Sequence, residues 1–238
     1  MTNEGVVGTA ARALLRSRLL APPPLATLRL IREARRGGTN PYTLLAVTAT
    51  RWPGRAAIVD DDGVWDYRQL QSAAESLARQ LSRDGVGPGD AVGIMCRNGR
   101  GFIAGVFGAA LVGGDVVLVN TDFRSDALAA AMSAHRITTM IADDEFGERA
   151  HAADESVVLI DPATVTIREG DRRPDVATPG RIILLTSGTT GTPKGVPRSP
   201  QLRSAVGVWV TLLERTGLAP GRESPWRCAC FTGWGWAC

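Results

Sequence analysis

The sequence predicts an α/β protein with a mostly parallel sheet that carries helices on both faces. Between residues 91 and 160, short apolar segments of strand length alternate with longer segments of helical character. Strands buried on both faces give continuous apolar runs of this kind, and the alternation with helices is typical of parallel sheets. The 238-residue chain is 44% hydrophobic and 21% charged, as in ordinary folded proteins. This composition excludes a largely disordered, collagen-like or disulfide-dense chain.

The predicted elements begin near residue 56. Two short strands flank a turn of aspartates and glycine, and a helix follows them. Three strand–helix units and a further strand come next, then a polar, proline-containing connection over residues 161–180, then a last strand. In order, the predicted elements are Ala56–Val59, Val64–Tyr67, Arg68–Ser82, Ala91–Cys96, Arg100–Val112, Asp115–Val119, a helix capped by Ser125 and running to His135, Ile137–Ala142, Asp144–Ala153, Val157–Ile160 and Arg181–Leu185.

Residues 1–44 form an Arg-rich segment that is predicted to be helical. Helices are expected at Ala10–Leu20, which prolines end, and at Leu25–Arg36, which two glycines end. The simplest interpretation is a pair of helices packed on the domain with a solvated arginine face. The alternative is peripheral contact with an anionic membrane surface. Nucleic-acid binding is not predicted, because no aromatic residues interleave the arginines.

We expect a cytoplasmic location. No apolar run approaches the roughly 20 residues that span a bilayer, and no secretory signal opens the chain. Peripheral membrane contact through the arginine-rich segment is the alternative. Cys96 closes an apolar run and is predicted to be a buried thiol. His135 and His151 lack catalytic partners nearby in sequence, so we interpret both as structural.

The strand Arg181–Leu185 leads into the most informative segment of the chain. Residues 186–192 consist only of threonine, serine and glycine, and Pro193, Lys194 and Gly195 follow. Glycines let the backbone turn so that successive N–H groups face an anion, and hydroxyls add further donors. Lys194, the only lysine of the chain, supplies a mobile charge suited to phosphate. The pattern predicts a polyphosphate site, and the proline before the lysine excludes a Walker A loop.

The segment Leu185–Val196 resembles the signature loop of the adenylate-forming, or AMP-binding, superfamily. That superfamily includes acyl-CoA synthetases, luciferases and peptide-synthetase adenylation domains. Gly89–Asn98 and Trp65–Leu70 resemble earlier family segments, and Gly113–Thr121 is closest to the fatty acid–CoA ligase branch. The resemblance covers residues 45–222. It implies the N-terminal part of the large domain of an acyl-CoA synthetase-like fold.

The resemblance also implies an activity, ATP-dependent ligation of a fatty acid, or another small carboxylic acid, to coenzyme A. The carboxylate attacks the α-phosphate of ATP to give an acyl-adenylate and pyrophosphate, and the thiol of coenzyme A then attacks the acyl carbon. ATP, Mg²⁺ and coenzyme A are therefore implied. Thr190 is the implied metal-positioning residue. The implied phosphate-binding residues are Thr186, Ser187, Gly188, Thr189, Thr190, Gly191 and Lys194.

The chain departs from the family in its later part. The family's Tyr-Gly-Thr-Glu stretch, adenosine-binding aspartate, hinge and C-terminal domain are not found in it. Lys194 belongs to the loop, so no residue is assigned as the family's catalytic lysine. We expect an N-terminal fragment that is inactive alone. Two alternatives stay open: a non-catalytic nucleotide- or phosphate-binding module, and an Arg-rich peripheral membrane binder.

Residues 223–238 form an aberrant tail. By resemblance, an apolar strand and a Phe-His-Gly segment belong here. Pro225 and Arg227 do not suit a central strand, because proline lacks the ladder donor and a buried arginine needs a partner. The final aromatic and glycine residues, 231–236, nearly restore the family pattern.

We predict that residues 223–232 arise from a local shift of reading frame, with the original frame regained at about Gly233. The codons for residues 223–233, read two nucleotides later, are expected to encode an apolar stretch that ends in Phe-His-Gly. Sequencing the gene checks this. A shifted reading without that stretch contradicts the prediction and leaves the tail a genuine divergence.

Overall fold

The computed structural model describes residues 40–167, 175, 177–186 and 194–198. The predicted N-terminal helices, loop residues 187–193 and the tail lie outside these described residues. A 3₁₀ turn at Asp144–Phe146 precedes the last helix. The helices and strands are α1 (Pro41–Arg51), β1 (Ala56–Asp60), β2 (Gly63–Asp66), α2 (Tyr67–Arg83), β3 (Ala91–Met95), α3 (Arg100–Leu111), β4 (Asp115–Leu118), α4 (Ser125–His135), β5 (Ile137–Ala142), α5 (Gly147–Ala153), β6 (Val158–Ile160), β7 (Ile182–Thr186) and β8 (Lys194–Arg198).

A six-stranded sheet lies at the centre of the described region, in the order β6-β5-β3-β4-β7-β8. Every neighbouring pair is parallel except the pair of β7 and β8. Strands β1 and β2 form a separate antiparallel hairpin. The predicted α/β class with a mostly parallel sheet is therefore confirmed. Because the parallel strands run the same way, their carboxyl ends meet at one edge, where such sheets bind ligands.

Two hydrophobic clusters occupy the two faces of the sheet. On one face, Leu77 of α2 belongs to the same buried cluster as Val116 of β4. On the other face, Leu128 of α4 belongs to the same buried cluster as Val117. The neighbouring valines of β4 thus serve opposite faces, because successive strand side chains alternate. Helices on both faces, as the sequence predicts, are confirmed.

Small residues let α3 approach its neighbours closely. A Cβ built on Gly108 would lie 3.0 Å from the carbonyl oxygen of Ala74 and 3.0 Å from Cβ of Leu77, both on α2. A Cβ built on Gly105 would lie 3.3 Å from Ile141 of the sheet. The small, apolar composition of this helix therefore serves two contacts, one with α2 and one with the sheet.

Capping corrects two boundaries that the sequence placed differently. Asp66 is the N-cap of α2, and its carboxylate accepts the Gln69 N–H at 2.8 Å while the Gln69 side chain accepts the Asp66 N–H at 2.9 Å. This capping box begins the helix at Tyr67, which was predicted to end a strand. Ser125, predicted as a cap, is instead the first helical residue, because the N-cap is Arg124 and makes no side-chain capping bond.

Helix α1 was not predicted from the sequence. Asn40 caps it by accepting the Tyr42 N–H at 2.9 Å, and proline occupies the first helical position. The Asn40 amide also donates to the carbonyl oxygens of Ala110, at 2.6 Å, and Ala177, at 3.1 Å. Asn40 thus ties the start of α1 to the end of α3 and to the segment that leads into β7.

That leading segment packs tightly against the turn before β4. Gly113 has a φ of +80°, and a Cβ on it would lie 2.8 Å from Cβ of Ala177. A Cβ on Gly180 would lie 2.2 Å from the carbonyl oxygen of Gly114. The backbone of Gly180 contacts the backbone of Gly114 here, so a side chain at Gly180 would fit only if one of these two segments moved.

We predict that Gly180→Ala lowers the free energy of unfolding by about 2 kcal/mol, because the added methyl group overpacks a backbone–backbone contact. The matched control is Gly87→Ala, where a Cβ meets nothing within 4 Å and φ is not positive. Urea unfolding of the 238-residue chain measures both variants. Equal midpoints for the two would contradict the packing described at Gly180.

Candidate phosphate site at the end of β7

The hairpin of β7 and β8 holds the two ends of the predicted phosphate loop together. Thr186, the last residue of β7, is the Cα partner of Lys194, the first residue of β8. Facing residues of an antiparallel pair are about 5 Å apart, so Thr186 and Lys194, the two residues that flank positions 187–193, lie side by side in the sheet. The predicted strand before the loop is confirmed as β7, and the structure places a second strand, β8, after the loop.

The structure describes Thr186 and Lys194, the first and last residues of the predicted site, and not the residues between them. Thr186 and Lys194 are brought together as backbone partners at the carboxyl end of β7. This is the edge at which the other parallel strands also end. Their roles toward phosphate remain predictions. The other implied phosphate-binding residues lie outside the described residues: Ser187, Gly188, Thr189, Thr190 and Gly191.

An ion pair that the sequence analysis did not identify lies at the start of β7. Asp115 accepts the backbone N–H of Arg181 at 2.7 Å and its guanidinium Nε at 2.9 Å. Burial raises the pKa of the Asp115 carboxyl, but the hydrogen bonds from Arg181 outweigh this and the pKa is lowered overall. The signal in the sequence was a charged residue at the head of each of two apolar strands.

A second pair of the same design lies at the carboxyl end of β3. Asp60, the last residue of β1, accepts the Arg100 backbone N–H at 3.0 Å and its Nε at 2.9 Å. Hydrogen bonds from the Arg100 side chain lower the pKa of Asp60, against a smaller opposing effect of burial. Arg100 is the first residue of α3, so this pair fastens the β1–β2 hairpin to the start of that helix.

An open groove of about 700 Å³ lies beyond the ends of β3 and β4. Arg149 forms part of its wall, donating to the carbonyl oxygens of Thr121 at 2.6 Å and Phe123 at 3.3 Å. Arg97 pairs with Glu145 across the same groove at 2.5 Å, and both side chains are largely exposed. The groove therefore carries charges of both signs and does not define one ligand by its own chemistry.

Cys96 is buried, as predicted, and its thiol donates to the Ile141 carbonyl oxygen at 3.5 Å. Burial and then the neighbouring Asp143 carboxylate raise the pKa of the thiol, so it is not a reactive thiolate. Burial also raises the pKa of Asp143, although its carboxylate accepts the Arg97 N–H at 2.6 Å.

Neither a metal cluster nor a membrane span is found within the described ranges. Those residues contain no group of three or more His, Cys, Asp or Glu side chains arranged to hold a metal ion. Among their helices, none combines the length and the apolar character needed to cross a membrane.

A parallel α/β sheet in which a glycine- and hydroxyl-rich sequence follows the carboxyl end of a strand is typical of nucleotide-binding proteins. The sequence profile of the AMP-binding enzyme family matches residues 45–214. The chain belongs to the AMP-binding enzyme family.

Two curated relatives illustrate the range of this similarity. Tyrocidine synthase 2 of Brevibacillus parabrevis is 29% identical over 159 residues, which is 65% of this chain and 4% of the synthase. The 2-succinylbenzoate–CoA ligase of Geobacillus sp. (strain WCH70) is 32% identical over 149 residues, 60% of this chain and 30% of the ligase. The chain therefore matches less than a third of the length of either relative.

Solved structures share the fold. The crystal structure of VinN superposes with a TM-score of 0.65 at 24% identity, covering 75% of this chain and 48% of VinN. A Mycobacterium tuberculosis fatty acyl CoA synthetase gives a TM-score of 0.60 at 22% identity, covering 74% of this chain and 38% of the synthetase. These likenesses confirm the predicted fold, that of the N-terminal part of such a domain.

We predict that Asp60→Asn lowers the free energy of unfolding by about 2 kcal/mol at pH 7, because it removes a charge-assisted pair at a largely buried carboxyl. The folded-state pKa of Asp60 lies below its unfolded value. Its contribution is therefore complete above the unfolded pKa and is lost as pH falls through the folded pKa. Urea unfolding of wild type and variant at pH 7 and under acid conditions checks this.

The control for this prediction is Glu145→Gln, which removes the exposed pair with Arg97. Exposed pairs contribute little to stability, so this variant should unfold at the same urea midpoint as wild type. The difference in stability between wild type and Asp60→Asn should shrink as the pH falls. A difference that stays constant from pH 7 into the acid range would contradict the assigned role of the Asp60 charge.

Proposed function

We propose that this chain supplies the ATP-phosphate site of an adenylate-forming ligase that activates a fatty acid for transfer to coenzyme A. The observation that carries the proposal is the β7–β8 hairpin. Its closing pair, Thr186 and Lys194, presents the family's signature loop at the carboxyl edge of a parallel sheet. Loop backbone N–H groups, hydroxyls and one lysine are donors to phosphate, and a sheet edge of this kind is where such donors act.

In the proposed site, the loop holds the β- and γ-phosphates of ATP. Thr186, Ser187, Gly188, Thr189, Thr190, Gly191 and Lys194 bind them, as the family resemblance implies. During adenylation a carboxylate oxygen bonds to the α-phosphorus, and the bond from that phosphorus to the bridging oxygen breaks. Pyrophosphate departs with both electrons of that bond. The loop's donors stabilise the charge that develops on this leaving group.

The hydroxyl groups of the loop could hold Mg²⁺ only together with the phosphate oxygens of ATP. Within the described part of the chain no carboxylate cluster is arranged to hold a metal. We therefore propose that the Thr190 hydroxyl and the phosphate oxygens of ATP position the ion. Mg²⁺ supplies neutralisation of the phosphate charge when it is bound.

The support for a fatty acid as the first substrate is the segment Gly113–Thr121. This segment resembles the fatty acid–CoA ligase branch, and it forms β4 and the turns on either side of it. A fatty acyl CoA synthetase shares the fold. We propose coenzyme A as the second substrate on the same basis. The DNA downstream of codon 238 tests the ligase assignment, because a ligase requires the later family motifs there.

We predict that the 238-residue chain binds Mg·ATP and that Lys194→Ala weakens this binding about tenfold, because one charge-assisted phosphate contact is lost. The control is Arg83→Ala, which removes an exposed cation at the end of α2. Calorimetric titration measures both variants. Equal ATP affinity in wild type and Lys194→Ala would contradict the proposed phosphate site.

Activity assays on the same 238-residue chain distinguish a ligase fragment from a complete catalyst. We expect neither fatty acid-dependent ATP–pyrophosphate exchange nor acyl-CoA formation, since the chain's only lysine lies in the loop. Acyl-CoA formation by the chain alone would overturn this expectation. ATP binding without turnover, with no later motifs encoded downstream, would instead favour a non-catalytic nucleotide-binding module.

A further inference from the structure

We propose that Asp115 is a positioning residue for the phosphate loop, because it holds Arg181 and so fixes the register of β7, the strand from which the loop emerges. The proposal rests on the proposed function, in which that loop binds the β- and γ-phosphates. Asp115 itself lies at the opposite end of β4 from the loop and would contact no ligand phosphate. Its effect on the site passes through the strand.

Four hydrogen bonds fasten Arg181, the residue that precedes β7, and one of them joins its Nη2 to Asp115 Oδ2 at 2.5 Å. The Arg181 N–H donates to Asp115 Oδ1 at 2.7 Å, and the Val116 N–H donates to the Arg181 carbonyl oxygen at 2.8 Å. The Arg181 guanidinium Nε donates to Asp115 Oδ2 at 2.9 Å. Gly180, immediately before, touches the Gly114 backbone too closely for any side chain. One residue of the chain is therefore held through its main chain and its side chain at once.

The register of β7 matters because its side chains alternate between faces. Ile183 and Leu185 are each 4% exposed in the cluster with α4, whereas Leu184 on the other face is 40% exposed. A shift by one residue would exchange these sets, and it would move Thr186 along the strand by about 3.3 Å. A loop displaced by that distance cannot keep its donors on the same phosphate oxygens.

The carboxylate is better suited to this task than an apolar residue. Asp115 is 8% exposed at the head of a valine-rich strand, so without a cationic partner it would be costly to bury. The need of Asp115 for a cationic partner disfavours any register of β7 that moves Arg181 away from it. An apolar residue at position 115 would leave the register of β7 to the alternation of its buried and exposed side chains alone.

The chain contains its own matched control in the pair of Asp60 and Arg100. The side chains of Asp60 and Asp115 are each 11% exposed, and each accepts one arginine's backbone N–H and its guanidinium. The Asp60 pair fastens the β1–β2 hairpin and does not touch β7. Removing the charge of either Asp60 or Asp115 should therefore lower the free energy of unfolding. Only the removal at Asp115 should change the position of the phosphate loop.

The experiment compares Asp115→Asn with Asp60→Asn in the 238-residue chain, using inorganic pyrophosphate with Mg²⁺ as the probe. Calorimetric titration gives the affinity, at a temperature where circular dichroism shows all variants folded. We expect Asp115→Asn to bind pyrophosphate about tenfold more weakly than wild type, and Asp60→Asn to bind it within about twofold. Arg181→Lys, which keeps the charge and loses the forked geometry, should fall between them.

The outcomes separate the two proposals. A wild-type chain that does not bind pyrophosphate overturns the proposed function. A wild type that binds it, with Asp115→Asn and Asp60→Asn equally affected or equally unaffected, overturns the positioning role alone. If Asp115→Asn does not fold, Arg181→Lys decides between the outcomes: weaker binding than in Asp60→Asn supports the role, and wild-type affinity contradicts it.

Discussion

The contact between Asp115 and Arg181 is the interaction on which the placement of the proposed site depends. Strand β7 joins the sheet beside β4, to which it is connected only through residues far away in the chain. In the described part of the connection between β6 and β7, no helix or strand guides the chain back. The position of β7 must therefore be specified where it arrives. The buried carboxylate of Asp115, the guanidinium of Arg181 and the close approach at Gly180, which only glycine can fit, together specify the position of β7.

A pair of the same kind joins the β1–β2 hairpin to the start of α3. Asp60 and Arg100 meet where α3 begins, as Asp115 and Arg181 meet where β7 begins. In both pairs a carboxylate accepts a main-chain N–H as well as the guanidinium, so the backbone is held together with the side chain. An exposed pair such as Arg97 and Glu145 fixes only side chains. A buried carboxylate and a bond to the backbone thus distinguish the two pairs that set geometry from the exposed pair of Arg97 and Glu145.

Most of the fold is predictable from the sequence, because apolar strands and small-residue helices carry their own local signal. The predicted strand and helix ends lie within a residue or two of the observed ones, except that the helix predicted from Asp144 begins at Gly147, after a 3₁₀ turn. Tyr67 and Ser125 were misplaced because capping decides those two boundaries. It missed α1, whose signal is little more than Asn40 and a following proline. The partners of the Asp115 pair are 66 residues apart. They meet only because β7 lies beside β4, and that strand order is a property of the whole sheet.

The variety of products and substrates in the relatives' names indicates which functions the matched region can have in common. A tyrocidine synthase and a 2-succinylbenzoate–CoA ligase match it over similar lengths, although their names record different products and substrates. What such proteins share here must then be independent of the acid. The proposed phosphate loop meets that requirement, because every adenylate formed from ATP releases the same pyrophosphate. The identity of the acid needs contacts with the acyl group, and neither the hairpin nor the pair that positions it supplies them.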